Sequence, residues 1–357
     1  MAEIDQVLKT TEELVQIPSV TGSEGRIADM LEERLMRLKP HALVRESNSM
    51  LVAVHPIQQN KRTLMLLGHI DTVPEFDKNP VRRDGDRLYG LGSSDMKAGC
   101  ALLLHMIETA KDTRCHYNMV GVLYAREEGP YVENELPLLH QAAPQWFELT
   151  DLAVCMEPTD NCIELGCAGT CHVEVKFTGK RAHSARPWQG DNAMHKAGPL
   201  LQRLARLKRQ KHVLDGLTFY EVIHATTVAS AGAKNVIPDN LTFNLNYRFA
   251  PGKDEAAVRR RLAEVIGNEA TWEIVDYCPS GKVCRENPLL QELLQLADNP
   301  EIRAKQAWTD VGRLSELGVD AINWGPGATS QAHQKDEWVS IDAIQHALTV
   351  LEPWLFA

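Results

Sequence analysis

His69 and Asp71 follow directly on the apolar run Leu64-Met65-Leu66-Leu67-Gly68. That is where a buried strand of an open α/β sheet presents its carboxyl end. Alternation along an extended segment puts both side chains on one side. Imidazole and carboxylate together suit a metal ion, although an H-x-D occurs often by chance and a structural His beside an Asp needs no ion. Asp95 lies in the glycine-rich stretch LYGLGSSDMKAG ahead of a helix, where it is either a ligand or an N-cap. Glu127-Glu128 close the run YAREEGP, and adjacent carboxylates at a strand end repel unless a cation or a proton comes between them. Glu157-Pro158-Thr159 ends the next apolar run, and His333 sits in the late loop PGATSQAHQKDE. Each signal alone has an ordinary structural reading. Taken together, His, Asp, Glu and Glu recur at the ends of successive predicted strands, with a late His on a loop. Five such ligands are what two zinc ions need if one carboxylate bridges them. Each ion then has a His, a terminal carboxylate and a share of Asp95, with room left for water. A neighbouring carboxylate that is not a ligand could take a proton from that water.

The elements that must position these residues follow from periodicity. Residues 4–15 and 24–39 have helical spacing, with Thr21 and Glu24 at the separation of a capping box. Leu51–His55, Thr63–Gly68, Met119–Tyr124 and Leu152–Met156 read as strands, Met96–Lys111 as an apolar-faced helix, and Asp84-Gly85 as a hairpin turn. Strands alternating with helices predict an α/β domain with a mostly parallel central sheet flanked by helices. From about residue 168 the rhythm changes. His172–Thr178, Phe219–Ala229, Leu241–Phe249 and Thr271–Tyr277 read as strands, with helices over Asn192–Arg209 and Lys253–Ile266. That β-α-β-β-α-β order is a ferredoxin-like pattern. Helices near Leu289–Leu296, over Asp310–Leu317 and from Ile341, with a strand at Ala321–Trp324, return to the α/β rhythm. The simplest organisation is one domain over 1–167 and 279–357, interrupted by a small domain over 168–278.

The motifs HIDTVP, GSSDMKAG, REEG, MEPT, AHSARP, NVIPD, NYRFAPG and HQKDEWV, in this order and spacing, resemble the co-catalytic di-zinc family. That family comprises aminoacylases, carboxypeptidases, acetylornithine deacetylases and succinyl-diaminopimelate desuccinylases. Within it, AHSARPWQGDNAMHKA, CAGT and GRLSELG look most like the actinobacterial type of desuccinylase. The resemblance covers nearly the whole chain. It implies a zinc-peptidase-like fold and two zinc ions per subunit, with cobalt able to substitute at one site. His69, Asp95 and Glu157 would hold one ion, and Asp95, Glu128 and His333 the other. Asp71 would orient His69, Glu127 would be the general base, and a cis peptide would follow Asp95. His183 would cross to a partner's site in a homodimer built through the small domain, which would serve as dimerisation and lid domain. Asn235 and Arg248, with the backbone around Gly325–Gly327, would contact the substrate. The implied activity is amide hydrolysis of an N-acylated amino acid, first of all N-succinyl-LL-2,6-diaminopimelate, in lysine and diaminopimelate biosynthesis. Acetylornithine, another N-acylamino acid or a dipeptide remains as an alternative substrate, and a non-catalytic binding protein as an alternative class.

Two residues invite comment beside the resemblance. Arg248 in the apolar run LNYRF asks for a carboxylate if buried, or else faces water from an edge strand. Arg126, just before the glutamate pair, either lowers the pKa of a nearby carboxylate or points away.

A formal charge of −10 argues against nucleic acid, and Arg203, Arg206, Lys208, Arg209 and Lys211 read as one solvated helix face. The acidic, amphipathic start lacks a basic n-region and an apolar h-region, and no apolar run is long enough to span a membrane. A cytoplasmic setting is the expectation. Eight cysteines without a C-x-x-C pair suit buried thiols in a reducing compartment.

Overall fold

Thr63–His69 forms a strand buried along its whole length, as its unbroken apolar character requires. Each fully buried Leu or Met there contributes about 1.5–3 kcal/mol. The computed structural model describes residues 2–74, 79–297 and 300–357. The chain divides into two units, the first comprising Met1–Gly166, Cys284–Arg303 and Leu314–Ala357, the second Cys167–Val283 and Ala304–Arg313.

In the first unit, Thr63–His69 lies at the middle of an eight-stranded sheet. It pairs in parallel with Asn118–Tyr124 on one side and Leu152–Cys155 on the other, and Ala321–Asn323 continues the parallel set. Antiparallel strands finish the sheet: Ser49–Ala53 and Ala42–Glu46 at one end, Ile163–Leu165 beside Ala321–Asn323 at the other. Ile302–Ala304 is the far edge. The α/β expectation holds, with the parallel character confined to the centre. Helix Ala98–Ala110 packs on the two central strands, and Ile341–Leu355 packs against that helix. The hairpin Arg82–Asp84/Arg87–Tyr89 forms where Asp84-Gly85 predicts it, and Trp338–Ser340 makes it three-stranded.

Three local expectations are corrected. Helix Gly25–Met36 begins without a side-chain cap. Thr21 Oγ1 instead donates to Asp71 Oδ2 (2.9 Å), while Glu24 Oε1 accepts from the Gly22 N–H (2.7 Å). The helix predicted over Met96–Lys111 starts only at Ala98, because Ser93–Lys97 forms a separate wide turn containing a cis Asp95–Met96 peptide. The helix predicted over Asn192–Arg209 is two short ones, Ala193–Lys196 and Gly198–Arg206. The second helix ends at Arg206 and Gln210–Leu214 is a strand, so Lys208, Arg209 and Lys211 do not share a helix face with Arg203 and Arg206.

In the second unit, a five-stranded antiparallel sheet runs in the order Gln210–Leu214, Leu217–Ala229, Asn240–Phe249, Gly169–Thr178, Thr271–Cys278. Alternation gives it two unlike faces. Val173, Val175, Phe177, Leu241, Phe243 and Leu245 pack in one core with Leu200 of helix Gly198–Arg206 and Val258 and Leu262 of helix Glu255–Ile266. Thr170, His172, Asn244, Asn246 and Arg248 lie on the other face, at the alternate positions of the two central strands. All eight cysteines are free thiols, and seven are buried.

Candidate metal centre

Three neighbouring parallel strands bring their carboxyl ends side by side. His69 ends Thr63–His69, the pair Glu127-Glu128 lies just past Asn118–Tyr124, and Glu157 just past Leu152–Cys155. Asp95 enters from the turn Ser93–Lys97, and His333 from the loop after the short turn Thr329–Gln331. His69 Nε2 lies 3.2 Å from Asp95 Oδ1. His333 Nε2 lies 3.6 Å from Asp95 Oδ2 and 3.0 Å from Glu128 Oε1. Donor atoms of His69, Asp95 and Glu157 stand within 4.8 Å of one another, as do those of Asp95, Glu128 and His333. A third group, His69, Glu127 and Glu128, meets the same limit, so distance alone does not separate the two glutamates.

The donor set fits metal. Ligands at about 2.0–2.2 Å around a tetrahedral ion stand roughly 3.3–3.6 Å apart, close to the spacings found here. Four carboxylates converge with only two imidazoles, in a place where His69 is 1% and Glu157 6% exposed. Such a surplus of negative charge demands cations. The imidazoles feel it already. Burial disfavours a charged His69 ring, yet hydrogen bonds to Asp71 and Asp95 outweigh it and raise the pKa well above the ordinary value. The hydrogen bond to Glu128 raises that of His333 to about 9.

Asp71 is the hub beneath these groups. Its oxygens accept from the backbone N–H of Glu127 and of Glu128 (3.1 Å each) and from Thr21, and one stands 3.5 Å from His69 Nδ1. Burial pushes its carboxyl up, but its bonds to His69 and Thr21 hold it below the usual range. Arg126 engages other carboxylates: its Nη1 donates to Glu133 (2.6 Å), its Nε stands 3.7 Å from Glu135 Oε1, and its charge works against the burial that raises the carboxyl pKa of Glu24.

Glu337 is a residue sequence reasoning missed. It is 1% exposed and accepts from the backbone N–H groups of Gly92 (2.7 Å), Ser94 (2.7 Å) and Asp95 (2.9 Å). Burial pushes its carboxyl up to about 7, partly offset by those bonds. Its sequence signal is its place in HQKDEWV, four residues past His333, where no role is read for it.

Gly325 and Gly327 are buried, and close packing explains both. A Cβ on Gly325 would meet the Glu157 and Met156 carbonyls at 2.5 Å, and one on Gly327 the Ser94 carbonyl at 2.1 Å. Their own carbonyls accept from Asn161 and Asp160. In the second unit, exposed His183 pairs with Val236 in a two-residue ladder, and the Asn235 carbonyl accepts from the Ser184 N–H, so these two residues are neighbours. Arg248 is not on an edge strand. Asn240–Phe249 is the middle strand of the sheet, and Arg248 Nε donates to Asn246 Oδ1 (3.1 Å).

Residues 65–356 match the model of Peptidase family M20/M25/M40. The chain belongs to that family. Across 352 residues it is 36% identical to a succinyl-diaminopimelate desuccinylase of Corynebacterium glutamicum, covering 97% of this M20 chain and 95% of that one. A Mycobacterium tuberculosis protein provisionally named for the same activity is 38% identical over 350 residues, covering 98% and 97%. Among solved structures, a dinuclear metal-binding M20 peptidase of Bacillus subtilis shares the fold at a TM-score of 0.72 with 13% identity, covering 98% of this chain and 96% of that one. M20 enzymes are metal-dependent, and this chain is a metal-dependent amide hydrolase. Among the described residues no helix is long and apolar enough to cross a membrane.

Proposed function

We propose that this M20 chain hydrolyses N-succinyl-LL-2,6-diaminopimelate to LL-2,6-diaminopimelate and succinate. The near full-length likeness to two proteins named for that activity carries the reading of the substrate. We assign His69, Asp95 and Glu157 to one zinc ion and Asp95, Glu128 and His333 to a second, with cobalt able to replace zinc at one of them. When bound, the pair supplies Lewis acidity, polarising the amide carbonyl and acidifying the attacking water. Asp71 fixes the ring orientation and tautomer of His69. The Glu127 carboxylate takes one proton of the attacking water and delivers it to the leaving amine, so the amide C–N bond breaks to a carboxylic acid and a neutral amine, and the acid's proton then passes to the amine, giving carboxylate and ammonium. His183, reaching a partner's site in a homodimer built through the second unit, stabilises the developing oxyanion. Asn235 and Arg248 hold polar and carboxylate groups of the substrate. Gly325 and Gly327 hold the Glu157 strand end in place and shape the substrate-facing loop.

The test is a panel of N-succinyl-LL-diaminopimelate, N-acetylornithine, other N-acylamino acids and dipeptides, compared by kcat/KM with the zinc-loaded protein. The succinyl substrate should lead by at least about tenfold, since the enzyme's buried polar groups go unpaired with the others. A dipeptide or acetylornithine in first place would overturn the assignment.

A further inference from the structure

Arg248 is half-buried in the middle strand, and its one side-chain hydrogen bond among the described residues is Nε to Asn246 Oδ1 (3.1 Å). Burial lowers the guanidinium's pKa, and no described carboxylate pairs with it to offset that cost. A guanidinium grips a carboxylate with two parallel N–H bonds, either side-on through Nε and one Nη or end-on through both Nη. Here the Nε edge is taken.

The group that takes it is itself anchored. A guanidinium only donates, so the Asn246 amide must turn its oxygen toward Arg248 and its nitrogen the other way. That nitrogen reaches Thr170 Oγ1 (3.3 Å) and His172 Nε2 (3.4 Å) on the neighbouring strand, where Thr170 stands opposite Arg248 and His172 opposite Asn246. With Nε2 accepting, His172 Nδ1 carries the proton, and the Asn244 amide atom 3.2 Å away, also 2.6 Å from Thr226 Oγ1, serves as its acceptor. Successive side chains on the open face thus form a polar ladder ending at Arg248. Nothing in substrate chemistry requires Asn246 or His172. Their consequence is to hold one edge of the guanidinium while the other stays open.

We propose that Asn246 is a positioning residue that locks Arg248 by its Nε edge and presents the two Nη groups end-on to a substrate carboxylate. The inference rests on the assignment of Arg248 to carboxylate binding. It goes further by naming the residue that fixes the guanidinium and the edge the substrate meets.

The experiment compares wild type, N246A, N246D and R248Q, all zinc-loaded. Each is assayed on N-succinyl-LL-diaminopimelate and on analogues with one carboxylate at a time replaced by a carboxamide. R248Q identifies the relevant carboxylate, because its penalty should vanish on the analogue lacking that group. N246A should raise KM about three- to tenfold, the cost of ordering one unfixed side chain, with kcat within about twofold. Its penalty should vanish on the same analogue. N246D separates positioning from mere structure. Asp is isosteric and keeps an acceptor, so a structural role makes it milder than Ala. As a carboxylate at the Nε edge it would instead neutralise the guanidinium charge that the substrate carboxylate meets at the Nη edge, and raise KM beyond N246A. If R248Q shows a carboxylate-linked penalty while N246A matches wild type, or N246D binds better than N246A, the positioning role is wrong. If R248Q shows no such penalty on any analogue, the Arg248 assignment fails and this inference falls with it.

Discussion

Glu337 Oε1 accepts from the backbone N–H of Asp95 at 2.9 Å, so an acid four residues past His333 holds the turn that carries the shared candidate ligand. The same carboxylate binds the N–H groups of Gly92 and Ser94. Two loops that contribute donors to the centre are thereby tied to each other before any ion arrives. Replacing Glu337 by Ala strands three N–H groups in a buried turn, at about 1–3 kcal/mol each where water does not reach them. Zinc affinity is expected to fall about 10- to 100-fold, as for lost outer partners of metal ligands. Competition against a chromophoric chelator measures it. E337Q, which keeps one acceptor oxygen, should lie between. Wild-type affinity in E337A would show that the turn stands without it.

Glu127 and Glu128 are adjacent in sequence and both bring a donor atom within 4.8 Å of His69, yet their proposed roles differ. E127A should keep two zinc ions while turnover falls by about two or more orders of magnitude, the loss of a general base. H333A should instead weaken one site, leaving it only two carboxylates, one of them shared. Metal content by emission spectroscopy beside single-turnover rates separates the two outcomes. Loss of metal with activity retained in E127A would reverse the roles.

The dimer assignment predicts rescue between damaged chains. Mixing H183A with E127A at equal amounts should restore about a quarter of wild-type activity if subunits exchange freely, since half the dimers are hybrids with one sound site of two. A mixture shown by mass spectrometry to exchange subunits, yet as inactive as its parents, would place His183 in its own chain's site or outside catalysis.

Much of the first unit could be read from hydrophobic pattern. Thr63–His69 and its parallel neighbours are short apolar runs that end in His, Glu-Glu and Glu, and burial on both faces leaves such runs no other role. The ties that set the geometry were hidden, because each joins a side chain to a distant backbone or an unremarkable polar residue. Glu337 meets Asp95 across 242 positions, and Thr21 is drawn from a local cap to Asp71 across 50. Asn246 and His172 carry no local signal at all, since alternation marks them only as polar positions on a sheet face. The helix expected to reach Arg209 failed for a local reason. Gly198-Pro199 starts a new helix, and Asp215-Gly216 between two runs of β-formers turns Gln210–Leu214 back as a hairpin strand.

Glu221 supplies a pH test of the second unit's stability. It is 3% exposed and accepts from Tyr247 Oη (3.0 Å), the Ala250 N–H (3.0 Å) and Lys253 Nζ (2.8 Å). Burial pushes its carboxyl up, but the bonds to Lys253 and Ala250 win and hold it below the usual value. A carboxyl depressed in the folded state stabilises above its unfolded pKa, and that contribution is lost as pH falls through the folded one. E221Q should therefore cost about 1.5–3 kcal/mol at pH 7. The gap from wild type should close as pH drops below about 4.3. Urea melts at a series of pH values check it, and a gap that stays constant down to pH 3 would mean the charge plays no part.

Zinc titrated into metal-free protein, with succinate release from N-succinyl-LL-diaminopimelate followed, tests the shared two-ion centre. Both ions are expected at one centre built from His69, Asp95, Glu128, Glu157 and His333. Activity should be absent in the metal-free protein and reach its plateau at two zinc ions per chain. D95N, which disturbs the ligand common to both sites, should abolish the plateau. Succinate release that survives removal of metal, or a D95N protein that titrates and turns over like wild type, would contradict it.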